Sequence, residues 1–231
     1  MLTIQNVNVY DLIPSVLASG YAMRTDPLDN PLDSYTEDSE EFKKGLIRAK
    51  KLINASKNSD VHCHDNFLTG IRVSFDVKYP QYWTPEFQRY HFADIVTSSS
   101  KMHRLLKMDI DNSCNKYVTQ ETKDNLKKYI EEYNTIANMY PSEDWLVNMH
   151  MEKAKYERWM KVLSNTPLGL ELFMRVSTNY KQLQTIYYQR KNHRLKEWHI
   201  FCSFIEHLPY FQELILGQEY DKNFNYIVID E

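Results

Sequence analysis

Ile71, Val73, Phe75, Val77 and Tyr79 alternate strictly with the polar residues Arg72, Ser74, Asp76 and Lys78. A strand turns successive side chains to opposite faces, so this pattern encodes a strand with one buried face. Such a face must be covered, and most of the chain around it carries helical periodicity instead. Apolar residues make up 42% of the 231, enough to build that cover. The class that follows is α/β (α+β), a mixed sheet with helical excess.

The remaining elements read as follows. Residues 2–10 form a short strand around Ile4, Val7 and Val9, and Pro14 to Met23 a first helix. Residues 26–41 hold seven acids and no Lys or Arg, which makes an exposed acidic loop. Ser39 caps a helix to about Asn54, with Phe42, Leu46, Ala49 and Ile53 on one stripe. A turn lies between Pro80 and Pro85, and a helix runs from Glu86 into a basic segment. Thr119 to Met139 is a polar helix that buries Leu126, Tyr129, Ile130, Tyr133 and Ile136. Another helix starts at Pro141-Ser142-Glu143-Asp144, Leu170 to Pro209 reads as one or two long helices, and Tyr226 to Ile229 as a terminal strand. With no repeat and no low-complexity block, residues 1–231 read as a single domain.

Composition removes several functions. Five glycines leave no glycine-rich dinucleotide or Walker loop. The formal charge of −3 gives no general affinity for nucleic acid or an anionic membrane, so an anion site must be local. No apolar run approaches a membrane span, and the start lacks a signal-peptide pattern. Three cysteines, Cys63, Cys114 and Cys202, suit a reducing cytoplasm rather than a disulfide framework.

Two basic segments carry the chemistry. Arg89, His91, Ser98, Ser99, Ser100, Lys101, His103 and Arg104 can form an anion cradle, with a loop expected near Thr97–Lys101 because serines resist helix. Asp94 falls inside this set and can pair with Arg89 or a histidine. In the second segment Asn179, Ile186, Arg190 and His193 share one helical stripe. Arg supplies a two-pronged donor for phosphate, Asn an amide edge and His a bond to a ring heteroatom. Lys181 and Thr185 lie off that stripe, within reach of the same ligand. The plain alternatives are a capped loop for the first segment and a solvated basic helix end for the second. His62-Cys63-His64-Asp65 lacks the separations of a metal site and reads as local polar contacts. Cys202, in an apolar stretch, reads as a core thiol.

Laid end to end, these segments resemble the flavin-dependent thymidylate synthases, the thymidylate-synthase-complementing proteins. The family signature reads Arg-His-Arg-x-x-Ser-x-Asn-x-x-Ser-x-Arg. Here it becomes Arg89-Tyr90-His91, then Asp94, Val96, Ser99 and Lys101. A second family stretch has an Asn, an Arg two residues on, and a further Arg before a His and a Trp. Here these are Asn179, Lys181, Arg190, His193 and Trp198. The resemblance spans most of the chain, and the retained frame with many substitutions suits a divergent branch such as a phage enzyme.

The resemblance implies an α/β subunit of a homotetramer with FAD and dUMP in clefts between subunits. Methylenetetrahydrofolate would be the carbon donor and NADPH the reductant. By position, Arg89, His91, Asn179, Lys181 and His193 would face FAD. Glu86, Ser99, Ser100, Lys101, Arg104, Lys161 and Arg190 would face the nucleotide, with Arg190 and Ser99 as the catalytic residues. No metal and no cysteine nucleophile is implied.

The departures bear on substrate. Tyr90 replaces a His, His91 an Arg, Asp94 a Ser and Val96 an Asn, Glu86 stands for a Gln, and Gly70 for a His. One unpaired charge about 4 Å from an anion costs ~4 kcal/mol at an effective dielectric of ~20, enough to abolish dUMP binding unless His103 or Arg104 compensates. Two other functions therefore stay open. One is a related flavin enzyme acting on another pyrimidine nucleotide, for instance by hydroxymethylation. The other is a non-catalytic protein that holds a nucleotide or single-stranded nucleic acid on the same fold.

Overall fold

A computed structural model describes residues 2–26, 28, 30–58 and 64–218 of the chain. Four strands, β1 (Thr3–Tyr10), β2 (Arg72–Pro80), β3 (Asp94–Ser98) and β4 (Glu171–Asn179), form one antiparallel sheet in the order β1-β2-β4-β3. The α-helices are α1 (Leu12–Ala18), α2 (Glu40–Asn58), α3 (Thr84–Phe87), α4 (Lys101–Arg104), α5 (Ile110–Ser113), α6 (Gln120–Ala137), α7 (Trp145–Ser164), α8 (Tyr180–Arg190) and α9 (Lys196–Glu206). A π turn follows at Gln212–Leu216. The fold class is the mixed α/β one expected. The expected strand at 226–229 lies outside the described residues.

The chain divides into two compact units. One comprises residues 2–77, 87–97 and 174 onward. In it Val73, Phe75 and Val77 of β2 are fully buried, as their alternation requires. Phe75 meets Phe201 and Phe204 of α9 at ring separations of 5.7 and 5.0 Å, and Phe87 meets Phe201 edge-on at 5.8 Å. Helix α2 buries Phe42, Leu46, Ala49 and Ile53, the stripe read from sequence, and Ser39 Oγ accepts from the Phe42 N–H at its start. Burying each large side chain of this core contributes about 1.5–3 kcal/mol. On the other face of the sheet, Arg175 of β4 bonds Asp76 of β2 and the Asn6 carbonyl of β1, tying three strands together.

The other unit comprises residues 78–86 and 98–173. Helices α6 and α7 pair here, with Tyr133 and Trp159 at 6.0 Å and Leu126 and Ile130 buried. Thr119 caps α6 and Asp144 caps α7, each side chain accepting from a first-turn N–H. Tyr129, Tyr133 and Ile136, expected on the buried stripe of α6, are only half-buried.

Four readings are corrected. Residues 171–179 are strand, not the start of a long helix. Leu172, Met174, Val176 and Thr178 are buried with a period of two, and the segment pairs centrally in the sheet. Its Glu, Leu, Met and Arg favour helix in isolation, and sheet pairing overrides that weak preference. The helix expected from Glu86 into the basic segment stops at Phe87, because Asp94–Ser98 pairs as an edge strand. The loop expected at Thr97–Lys101 shrinks to Ser99 and Ser100, since β3 reaches Ser98 and α4 begins at Lys101. The first helix is also shorter than read, ending at Ala18 before a 3-10 turn at Tyr21–Met23.

Candidate functional site

In the unit that holds α8, the second basic segment is organised by caps and rings rather than by one helical stripe. Asn179 ends β4, and its Oδ1 accepts from the Gln182 N–H at 2.9 Å. That bond is why α8 starts at Tyr180. Ile186 is fully buried within the helix and Arg190 forms its last turn. His193 lies beyond the helix end, so the four-residue stripe is corrected. What joins Arg190 to His193 is Trp198. The Arg190 guanidinium stacks 4.6 Å above the Trp198 ring, and the His193 ring meets the same indole edge-on at 6.3 Å. His193 Nδ1 accepts from the Leu195 N–H at 3.2 Å.

Tyr90 completes this cluster. Its hydroxyl accepts from Arg190 Nε at 2.8 Å and donates to Gln189 Oε1 at 3.1 Å. Lys181 bonds the buried Asp65 carboxylate at 2.6 Å. Asp65 thus makes a long-range ion pair across 116 residues rather than the local contact read for the His62–Asp65 run, whose His62 and Cys63 lie outside the described residues. Arg89 and His91 sit on the turn before β3, both exposed. Asp94 is exposed too, and among the described residues it makes no ion pair with Arg89 or a histidine. Gly70 has a steric reason: a Cβ there would meet Ser15 Oγ at 2.4 Å, so a histidine would force Ser15 to move. Burial and the nearby Glu206 carboxylate push the Cys202 thiol up to about 12. Burial also raises Cys114, in the other unit. Neither is an activated nucleophile.

In the unit that holds α4, Ser99 Oγ bonds both the N–H and the carbonyl of Phe173 at 3.2 Å. Ser100 is the N-cap residue of α4. Lys101 donates to Gln81 Oε1 at 2.7 Å. Arg104 is exposed at the end of α4, and Glu86 is half-buried in α3. Lys161 is on α7, bonded to Glu132 at 2.9 Å and lying 4.2 Å over the Tyr129 ring. No hydrogen bond or ion pair among the described residues joins it to Ser99, Ser100, Lys101 or Arg104. Among the described residues no group of His, Cys, Asp or Glu could hold a metal, and no helix is long and apolar enough to cross a membrane.

No protein-family model matches the chain, and no curated protein matches it at a significant level. Solved structures do. One is the flavin-dependent thymidylate synthase ThyX from Helicobacter pylori complexed with FAD and dUMP, at a TM-score of 0.52 and 17% identity over 94% of this chain and 98% of that one. A second structure of ThyX from the same organism, also with FAD and dUMP, matches at 0.52 and 16% over the same shares. The chain has the fold of a flavin-dependent thymidylate synthase.

Within this thymidylate synthase fold, two residues stand out that were not among the expected binders. Tyr90 entered the sequence reading only as a departure from the signature, yet it bonds Arg190 directly. Gln81 gave no signal beyond a polar residue after Pro80. It orients Lys101, and its buried Nε2 has no acceptor among the described residues.

Proposed function

We propose that the chain is a flavin-dependent thymidylate synthase, transferring one carbon reductively to C5 of dUMP to give dTMP. The observation that carries this reading is the fold likeness, along nearly the whole of both chains, to an enzyme solved with FAD and dUMP. FAD fits the residues present. Arg89 is an exposed cation and His91 an exposed imidazole, neither in an ion pair among the described residues, which suits a diphosphate. His193 sets its ring against Trp198, with Nδ1 on the Leu195 N–H. Asn179 offers its Nδ2 donors, because Oδ1 caps α8, and Lys181 shares its charge with Asp65. When bound, FAD supplies the redox chemistry of the transfer.

The nucleotide set is Glu86, Ser99, Ser100, Lys101, Arg104, Lys161 and Arg190. By the family likeness Arg190 and Ser99 would be the catalytic residues, Arg190 with a planar donor fork and Ser99 with a hydroxyl that bonds the Phe173 backbone. Lys161 would have to leave Glu132 to reach a phosphate, and this is the weakest member of the set. Methylenetetrahydrofolate serves as carbon donor and NADPH as reductant. A homotetramer is supported by the apolar surface of α7, where Trp145, Leu146, Val147, Met149 and Tyr156 are exposed. The bare charge of Asp94 favours a second reading, in which the same chemistry acts on another pyrimidine nucleotide.

The test is the visible spectrum of purified protein before and after FAD and gel filtration, followed by nucleotide-dependent reoxidation of the reduced flavin. Retained flavin with reoxidation stimulated by dUMP is expected. Stimulation by dCMP alone selects the second reading. Failure to take up FAD, with salt-sensitive binding of oligonucleotides, makes the chain a binding protein on this fold.

A further inference from the structure

The residue between Arg89 and His91 is neither charged nor exposed. Tyr90 retains 8% of its accessible surface, and its hydroxyl reaches two consecutive residues of α8. A phenol has one proton to donate, and Gln189 Oε1 can only accept. The proton therefore goes to Gln189, at 3.1 Å, and a hydroxyl lone pair receives the Arg190 Nε–H at 2.8 Å. The directions of both bonds are forced.

The guanidinium is also fixed on its face. Its central carbon lies 4.6 Å from the Trp198 ring centre and 5.7 Å from that of Tyr90. Trp198 is fully buried and meets Phe201 edge-on at 5.8 Å, and the Tyr90 ring meets Trp198 at 6.1 Å. The groups that hold Arg190 are thus held themselves. An arginine side chain is rich in rotamers, and here part of that freedom is surrendered on folding instead of on ligand binding. The four N–H donors on the two terminal nitrogens make a planar fork that matches a phosphate or a pyrimidine carbonyl edge.

We infer that Tyr90 is a positioning residue that presets Arg190 for an anionic pyrimidine nucleotide; this rests on the nucleotide-binding reading above. Tyr90 acts through Arg190 and needs no contact with the ligand. Phenylalanine at this position keeps the ring contacts and removes the hydroxyl, both the acceptor for Arg190 and the donor to Gln189.

The experiment compares wild type, Tyr90→Phe and Tyr90→His, each loaded with FAD. Three quantities are read: the dUMP dissociation constant by calorimetry, the thermal midpoint, and the Arg190 Nε–H resonance, assigned by its loss in Arg190→Lys. In wild type that Nε–H is protected from solvent exchange. Tyr90→Phe loses the protection and binds dUMP about ten-fold more weakly, the loss of one hydrogen bond to a charged group. Tyr90→His restores an acceptor and most of the affinity, which a purely space-filling role for Tyr90 would not require. A folded Tyr90→Phe that binds dUMP like wild type overturns the inference and leaves the functional reading standing. A wild type that binds neither dUMP nor dCMP overturns the functional reading itself, and the inference with it. Where Tyr90→Phe fails to fold, Gln189→Leu at an exposed position frees the Tyr90 hydroxyl to rotate. It lowers dUMP affinity about three-fold, and wild-type affinity there also overturns the inference.

Discussion

Lys181→Met separates a structural role for this lysine from a flavin-binding one. Asp65 is 3% exposed at its side chain, and Lys181 is its ion-pair partner at 2.6 Å. The other carboxylate oxygen, Oδ1, is buried with no hydrogen bond among the described residues. Removing the ammonium therefore strands a charge in the protein interior. Breaking a fully buried pair costs 3–5 kcal/mol, whereas an exposed pair contributes about 0–1. Lys181 is 32% exposed at its side chain, so screening by water lowers the figure to about 2–3 kcal/mol. Methionine keeps the apolar stem, so the loss reports charge and not packing. At a urea slope of about 2–3 kcal/mol/M the unfolding midpoint falls by roughly 1 M. Asp65→Asn added to Lys181→Met removes the stranded charge and returns most of the loss. A Lys181→Met midpoint within about 0.2 M of wild type would refute the reasoning, because Asp65 would then be satisfied without Lys181. Flavin retention by Lys181→Met, measured on the same sample, tells whether the lysine also serves FAD.

Three more outcomes are expected. Arg89→Ala weakens FAD retention about ten-fold or more in a protein of unchanged thermal midpoint, and full retention after gel filtration removes Arg89 from the cofactor set. Cys202, with its thiol pushed up to about 12, has about one thiolate in ten thousand at pH 8, so mass spectrometry after iodoacetamide finds it unlabelled in the folded protein and labelled in urea. Glu171 is buried, which raises its pKa, but its bond to Lys78 at 2.7 Å and the neighbouring positive charge outweigh burial and hold it below the usual carboxylate value. A depressed carboxylate pKa stabilises the fold above the unfolded value of about 4.3 and loses that contribution as pH falls through the folded value, so Glu171→Gln flattens the acid limb of a stability-against-pH curve.

The strand at Arg72–Pro80, the stripe and cap of α2 and the starts of α6 and α7 were legible in the sequence, because each rests on local rules. Alternation selects a strand face, helical spacing selects a stripe, and Ser39, Thr119 and Asp144 cap through bonds to N–H groups two or three residues away. The two cation-rich segments were equally plain, since they are stretches of composition. The strand at Glu171–Asn179 was not, although Leu172, Met174, Val176 and Thr178 alternate. Its residues favour helix weakly, and only pairing within the sheet decides against that preference. The end of α3 at Phe87 has the same cause, because β3 gains its bonds from a strand far along the chain. The partners of the candidate residues belong wholly to tertiary structure. Tyr90 with Arg190 and Asp65 with Lys181 are about a hundred residues apart, and no local pattern relates them. By itself the sequence determined the strand Arg72–Pro80, the helices α2, α6 and α7 and where the cations cluster, since propensity, capping and periodicity act over one or two turns. Which cation is held by a phenol, which by a buried carboxylate and which is left to solvent was decided only when the chain closed on itself, because electrostatic and hydrogen-bond partners are selected by distance in space.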